Sequence, residues 1–77
     1  MQEYLATFHT HLSAMITGKK LKAEAEKVRL EPVPRKLSSS CGTCVRFEAK
    51  SSLVHCMDKD YEALYQVLAE DEYLKLA

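Results

Sequence analysis

One stretch of this chain decides how it folds: Pro32-Val33-Pro34-Arg35-Lys36-Leu37-Ser38-Ser39-Ser40-Cys41-Gly42-Thr43-Cys44-Val45-Arg46-Phe47. Each proline fixes its own φ at about −65° and holds the residue before it in an extended conformation. The three serines that follow favour a turn, because their hydroxyls hydrogen-bond to nearby backbone. β-branched Val45 and aromatic Phe47 then favour a strand. The stretch therefore predicts two strands joined by a serine-rich loop that presents the thiol of Cys41.

Before this stretch the sequence predicts a strand, a helix and a second strand. Residues 3–8 alternate between two faces, which is typical of a strand. Thr10 is suited to cap a helix that begins at the next residue or the one after it. The apolar positions of that helix are Leu12, Met15 and Ile16, followed out of phase by Leu21 and Ala25. This slip predicts a bend or a restart of the helix at Gly18. Residues 27–31 then alternate as the second strand.

After the loop the sequence predicts a third strand over residues 43–48, a second helix and a last strand. Asp58 or Asp60 is suited to cap this helix. Its apolar stripe has helical spacing and consists of Tyr61, Leu64, Tyr65 and Leu68. The acidic residues 70–72 are unfavourable near a helix C-terminus, so the helix should end there and residues 73–76 should form the last strand. The apolar segment 53–57 could form an extra strand, and the sequence does not decide this.

The order of these elements predicts an α+β fold, a ferredoxin-like βαββαβ sandwich whose antiparallel sheet has two helices on one face. At 77 residues the chain is expected to be a single domain, residues 1–77. In this topology the first two strands run parallel with the third between them. The end of the first strand, the start of the first helix and the loop at 35–42 then share one end of the molecule, so His9 and His11 should lie near Cys41.

That position favours a reactive thiol. A helix N-terminus and a protonated histidine both favour the thiolate, and Arg35, Lys36 and Arg46 add positive charge nearby. A thiolate is the form that attacks electrophilic sulfur or selenium. The residues therefore predict Cys41 as the reacting group, His9 as a supporting group and Arg35 as an anion-binding residue. The loop groups expected to donate hydrogen bonds to the sulfur anion are Ser38, Ser39, Ser40 and Gly42.

The pattern Pro-Val-Pro-Arg-x-Leu-Ser-Ser-Ser-Cys-Gly-x-x-Val-Arg-Phe at 32–47 closely resembles the signature of a small bacterial family, the selenium/sulfur carrier protein-like family. The opening Tyr4-Leu5-Ala6-Thr7-Phe8-His9-Thr10-His11 is similar to the start of the same family. The resemblance covers roughly residues 3–48. It implies a carrier that holds a persulfide or selenosulfide on Cys41, rather than an independent enzyme. The partners it implies are a cysteine desulfurase or selenium donor protein, and a sulfur-carrier or selenophosphate-synthesis acceptor.

Two other functions remain open at this point. Cys41 and Cys44 form a Cys-x-x-Cys pair, which is typical of thiol–disulfide redox proteins, but here the pair leads into a strand rather than a helix. Cys44 is then either a resolving thiol or a small buried residue of the strand. The other alternative is an interaction domain that uses the loop only as a recognition surface.

A metal site is not expected. One Cys-x-x-Cys is half of a zinc signature, and the second half is missing. His55 and Cys56 are adjacent, so on a strand they would point to opposite faces.

Composition excludes several classes of protein. The chain is 47% hydrophobic and 29% charged, which is typical of a folded protein rather than a disordered one. Lysine plus arginine and aspartate plus glutamate both number 11, so the basic excess of a nucleic-acid binder is missing. No apolar run is long enough for a membrane span. Three cysteines without an export signal predict a cytoplasmic protein with free thiols and no cofactor. The sequence does not decide whether the protein forms a homodimer through an uncovered face or edge of the sheet.

Overall fold

A computed structural model describes all 77 residues as a five-stranded antiparallel sheet with one α-helix packed on one face. The elements in chain order are β1 (Gln2–Phe8), α1 (His11–Lys22), β2 (Glu26–Pro32), β3 (Thr43–Ala49), a 3₁₀ turn (Val54–Cys56), β4 (Tyr61–Ala69) and β5 (Glu72–Lys75). The strands lie in the order β2-β3-β1-β4-β5. The α+β class is confirmed. No helix is long and apolar enough to cross a membrane.

The first half of the chain has the predicted arrangement. β3 lies between β1 and β2 and is antiparallel to both, so β1 and β2 run in the same direction. α1 makes the connection between them. Thr10 caps it, because its hydroxyl oxygen accepts a hydrogen bond from the backbone N–H of Ser13 at 3.1 Å.

α1 packs on the sheet through small side chains, which the sequence analysis did not expect. The buried positions of the helix are Ser13, Ala14, Thr17, Gly18 and Leu21. Leu12 and Met15 are instead exposed. The helix is continuous from His11 to Lys22, so it does not restart at Gly18. Gly18 allows close packing, because a Cβ there would lie 3.0 Å from Leu30 on β2.

The core lies between α1 and the sheet. Alternate residues of β1 and β3 supply most of it, because successive strand residues point to opposite faces. Its largest fully buried members are Phe8, Phe47, Leu21, Leu64 and Val45.

The second predicted helix is wrong, because residues Tyr61–Ala69 form β4. This strand pairs with β1 on one side and with β5 on the other. Tyr65 and Val67 are side chains that favour strands, and Leu68, which the helical stripe required to be buried, is 56% exposed. The chain therefore has one α-helix, and the predicted ferredoxin-like second half does not form. The last strand is present, but it pairs with β4 at the edge of the sheet.

The face of the sheet away from α1 is organised around Arg46. Its guanidinium bonds to Glu3 at 2.6 Å and to Glu31 at 2.9 Å, so it links β3 to both neighbouring strands. Its side chain is only 18% exposed. Because guanidinium and carboxylate form directional charged hydrogen bonds, this network fixes the registers of three strands at once.

We expect Arg46→Met to lower the free energy of unfolding by about 2 kcal/mol, because it leaves two half-buried carboxylates without their shared partner. Arg29→Met is the matched control: Arg29 also contacts Glu31, at 3.3 Å, but its side chain is 64% exposed. Arg29→Met should lower the free energy of unfolding by less than about 0.5 kcal/mol. Urea unfolding of both variants measures these free energies. Equal losses of stability in the two variants would contradict the stabilising role of the Arg46 network.

Candidate functional site

The serine loop between β2 and β3 is a closed, ordered turn. The backbone N–H of Val33 donates to the carbonyl oxygen of Gly42 at 3.1 Å, which joins the two ends of the loop. Gly42 has a φ of +74°, a left-handed conformation that glycine adopts without steric cost. Within the loop, the N–H of Leu37 donates to the carbonyl of Pro34 at 3.0 Å. The loop therefore holds Cys41 at a defined position beside the start of β3.

Two serines attach this loop to the neighbouring strands. The Ser39 hydroxyl donates to the carbonyl oxygen of Phe8, the last residue of β1, at 2.8 Å. Ser40 makes two hydrogen bonds to the carboxylate of Glu62 on β4, from its backbone N–H at 3.0 Å and from its hydroxyl at 2.9 Å. The hydroxyls that were expected to bind the sulfur thus hold the loop in place. Ser38 is exposed.

Glu62 is the residue that the sequence analysis missed. Thr7 pairs with Ala63, but Phe8 pairs with Tyr61, so Glu62 is the extra residue of a β-bulge. A bulge turns a side chain out of the regular alternation, and here the carboxylate faces the serine loop. Nothing in the local sequence indicates this role, since it depends on the pairing of β4 with β1.

The Glu62 carboxylate is a charged acceptor at the loop. Burial raises the pKa of Glu62, but hydrogen bonds from the backbone and hydroxyl of Ser40, with the charge of His9, outweigh burial. The pKa of Glu62 therefore lies below its ordinary value of 4.5. His9 Nδ1 lies 3.4 Å from the carboxylate. His9 thus reaches the loop as predicted, through Glu62 and not through the sulfur.

Cys41 is half-buried, with one side of its side chain packed against the core. The backbone N–H of Thr43 donates to its sulfur at 3.4 Å, and the thiol donates to the Thr43 carbonyl at 3.5 Å. The Ser39 hydroxyl oxygen lies 3.9 Å from the sulfur. If the thiol ionises, the Thr43 N–H remains as a donor to the anion.

The two histidines lie at this end of the molecule but neither hydrogen-bonds to the sulfur. His11 Nδ1 is 3.3 Å from the hydroxyl oxygen of Thr43, and both histidines are exposed. The topology therefore brings imidazole and thiol into one region: Thr43 contacts both His11 and the sulfur, whereas His9 contacts Glu62, which bonds to Ser40. Arg35 is exposed on the loop, where the structure gives it no partner.

Cys44 differs from Cys41 in its burial. It is fully buried, and its thiol points to the carbonyl oxygen of Pro32 at 3.7 Å. Burial, followed by the negative charge of Glu31, raises the pKa of the Cys44 thiol to about 11. A protonated, inaccessible thiol is a poor nucleophile.

The third cysteine lies elsewhere in the fold. Cys56 is in the 3₁₀ turn and bonds to Glu24, which follows the C-terminal end of α1, so the three cysteines do not form one cluster. Residues 53–57 contain this turn and no strand.

We expect Glu62→Gln to loosen the serine loop, because Ser40 donates to both carboxylate oxygens and the amide replaces one of them with an NH₂ group that cannot accept. Loss of a charged hydrogen bond costs about 1.5 kcal/mol, so exchange of the Ser40 amide hydrogen should be faster by about tenfold. Hydrogen exchange followed by NMR measures this. Glu70→Gln, which changes an exposed carboxylate, is the control and should leave that rate unchanged.

The same variant should change the response to acid. The lowered pKa of Glu62 means that its stabilisation is complete above pH 4.5 and is lost as the pH falls through its folded value. Between about pH 5 and pH 2.5 the midpoint temperature of thermal unfolding should therefore fall less steeply with pH in Glu62→Gln than in the native chain. An unchanged slope would show that the carboxylate does not hold the loop.

Residues 3–74 match the model of a family described as "Putative Se/S carrier protein-like". The match extends from β1 into β5, so it includes both the serine loop and Glu62. It confirms the family that the loop sequence predicted. No curated protein and no solved structure matches the chain.

Proposed function

This chain belongs to the Se/S carrier protein-like family, and we propose that it carries a sulfur or selenium atom on Cys41 as a persulfide or selenosulfide. The observation that supports this choice is the contrast between its thiols. Cys41 is partly accessible on an anchored loop, whereas Cys44 and Cys56 are buried. A carrier needs one accessible sulfur at a fixed position, and only Cys41 has that position.

The transfer step is a displacement at sulfur. The Cys41 thiolate attacks the outer sulfur of a donor persulfide, and a new S–S bond forms at Cys41. The S–S bond of the donor breaks, and its inner sulfur leaves as a thiolate with the bonding electron pair. Because the outer sulfur keeps its oxidation level, the step needs no oxidant. Transfer to an acceptor is the same displacement, with the acceptor thiolate as the attacking group.

The loop is suited to both the free and the loaded thiol. The Thr43 N–H donates to the sulfur, and an added atom needs space beyond it. Gly42 is exposed, and a Cβ there would have no atom within 4 Å. The region next to Cys41 is therefore open to solvent and to a protein partner.

The family resemblance suggests the partners. A cysteine desulfurase or a selenium donor protein would load Cys41, and a sulfur-carrier or selenophosphate-synthesis protein would receive the atom. The exposed Arg35 and the exposed histidines beside the loop offer polar contacts to such proteins. On this proposal the chain is a carrier and does not catalyse a reaction of its own.

The dithiol redox function is less well supported. It requires Cys44 to attack or resolve a bond at Cys41. Cys44 is fully buried and the pKa of its thiol is raised to about 11, so its thiolate is scarce at neutral pH.

The test is loading of the reduced protein with a small-molecule persulfide, followed by peptide mass spectrometry. The native chain and Cys44→Ser should each gain one sulfur atom on the peptide that contains Cys41, and Cys41→Ser should gain none. Added thiol should remove the atom and restore the original mass. A carrier is contradicted if Cys41→Ser loads as well as the native chain. If Cys44→Ser fails to load but remains folded, the redox function becomes the better explanation.

A further inference from the structure

The opposite end of α1 carries a second group of reactive side chains. Glu24 follows the helix, and His55 and Cys56 lie in the 3₁₀ turn between β3 and β4. The carboxylate is 3.1 Å from His55 Nε2 and 3.2 Å from Cys56 Sγ. Because α1 has 12 residues, about 18 Å of helix separates this group from the end that adjoins the serine loop.

We propose that Glu24, His55 and Cys56 form a binding site for Zn²⁺. The carboxylate, imidazole and thiol ligand atoms all lie within 4.8 Å of one another. Two ligand atoms of a tetrahedral zinc ion are about 3.3–3.6 Å apart, given metal–ligand bonds of about 2.0–2.3 Å. The carboxylate lies 3.1 Å from the imidazole nitrogen and 3.2 Å from the sulfur, both close to that range. Movement of the exposed His55 and Glu24 side chains would place an ion between the three atoms.

The mixed ligand set indicates the class of metal. Thiolate and imidazole suit zinc and its neighbours in the transition series, whereas calcium and magnesium require oxygen ligands. One carboxylate and one thiolate balance the two positive charges of the ion, so the occupied site is neutral. Three protein ligands leave a fourth position, which water fills.

Burial of the three side chains agrees with this arrangement. Cys56 is 3% exposed, whereas the side chains of His55 and Glu24 are 64% and 47% exposed. The thiol therefore forms the floor of the site and the other two ligands its rim, open to entry from solvent.

The sequence analysis gave reason to doubt any metal site here, since adjacent strand residues point to opposite faces. The 3₁₀ turn removes that objection, because it lets His55 and Cys56 contact the same carboxylate. The turn begins after Leu53, whose φ of 52° is uncommon for a residue other than glycine.

Metal binding exchanges a proton for the ion. Without metal, the Cys56 thiol donates a hydrogen bond to the Glu24 carboxylate at 3.2 Å, so it holds its proton. Formation of the S–Zn bond therefore releases one proton, from Cys56 to the buffer.

The experiment is an anaerobic titration of the reduced full chain with Co²⁺, which absorbs near-ultraviolet light when a thiolate binds it. Cys41→Ser serves as the background, so that the accessible thiol cannot contribute. We expect the absorption to saturate at one Co²⁺ per chain, with release of about one proton, and Zn²⁺ to abolish it. Neither result depends on whether Cys41 carries sulfur.

Single variants in that background identify the ligands. Cys56→Ser should lose the absorption. Glu24→Gln should weaken Co²⁺ binding at least tenfold. Because the Glu24 side chain is exposed, this substitution should leave the fold intact. Glu26→Gln is the matched control and should bind as the background does. No absorption, an absorption that survives Cys56→Ser, or equal binding by Glu24→Gln and Glu26→Gln would overturn the proposal.

Discussion

The position of β3 between β1 and β2 is the constraint on which the rest of the structure depends. Because β3 is antiparallel to both, the end of β1 and the beginning of the serine loop lie at the same end of the sheet. That placement allows Ser39 to bond to Phe8. β4 then pairs with the other side of β1 and brings Glu62 to the same loop. The site around Cys41 is therefore a consequence of strand order.

The three cysteines have different environments because they lie in three different parts of the fold. Cys44 lies within β3 and is fully buried, Cys56 is the last residue of the 3₁₀ turn that follows β3, and Cys41 lies on the loop before β3. Burial raises the pKa of the two inner thiols and keeps them protonated. The chain thus separates an accessible sulfur from a structural one and from one that has an imidazole and a carboxylate beside it.

The sequence predicted the first half of the fold well, because its signals are local. Alternation, a capping threonine and the prolines at the end of β2 each act within a few residues. The second half failed because the spacing from Tyr61 to Leu68 fits a helix as well as a strand, and pairing with β1 decides between them. Glu62 could not be predicted for the same reason, since a bulge depends on the partner strand. The position of Cys41 on a loop before a strand could be predicted, because the loop residues around it are contiguous in sequence.

The central claim is that the fold makes Cys41 the one reactive thiol. The most direct measurement is the alkylation rate of each cysteine in the reduced native protein, from peptide mass spectrometry with a substoichiometric reagent. The account predicts that fragmentation of the peptide that contains both Cys41 and Cys44 places the first label on Cys41, and that Cys44 and Cys56 react only when the chain is unfolded in denaturant. Labelling of Cys44 or Cys56 at the rate of Cys41 in the folded protein would contradict it.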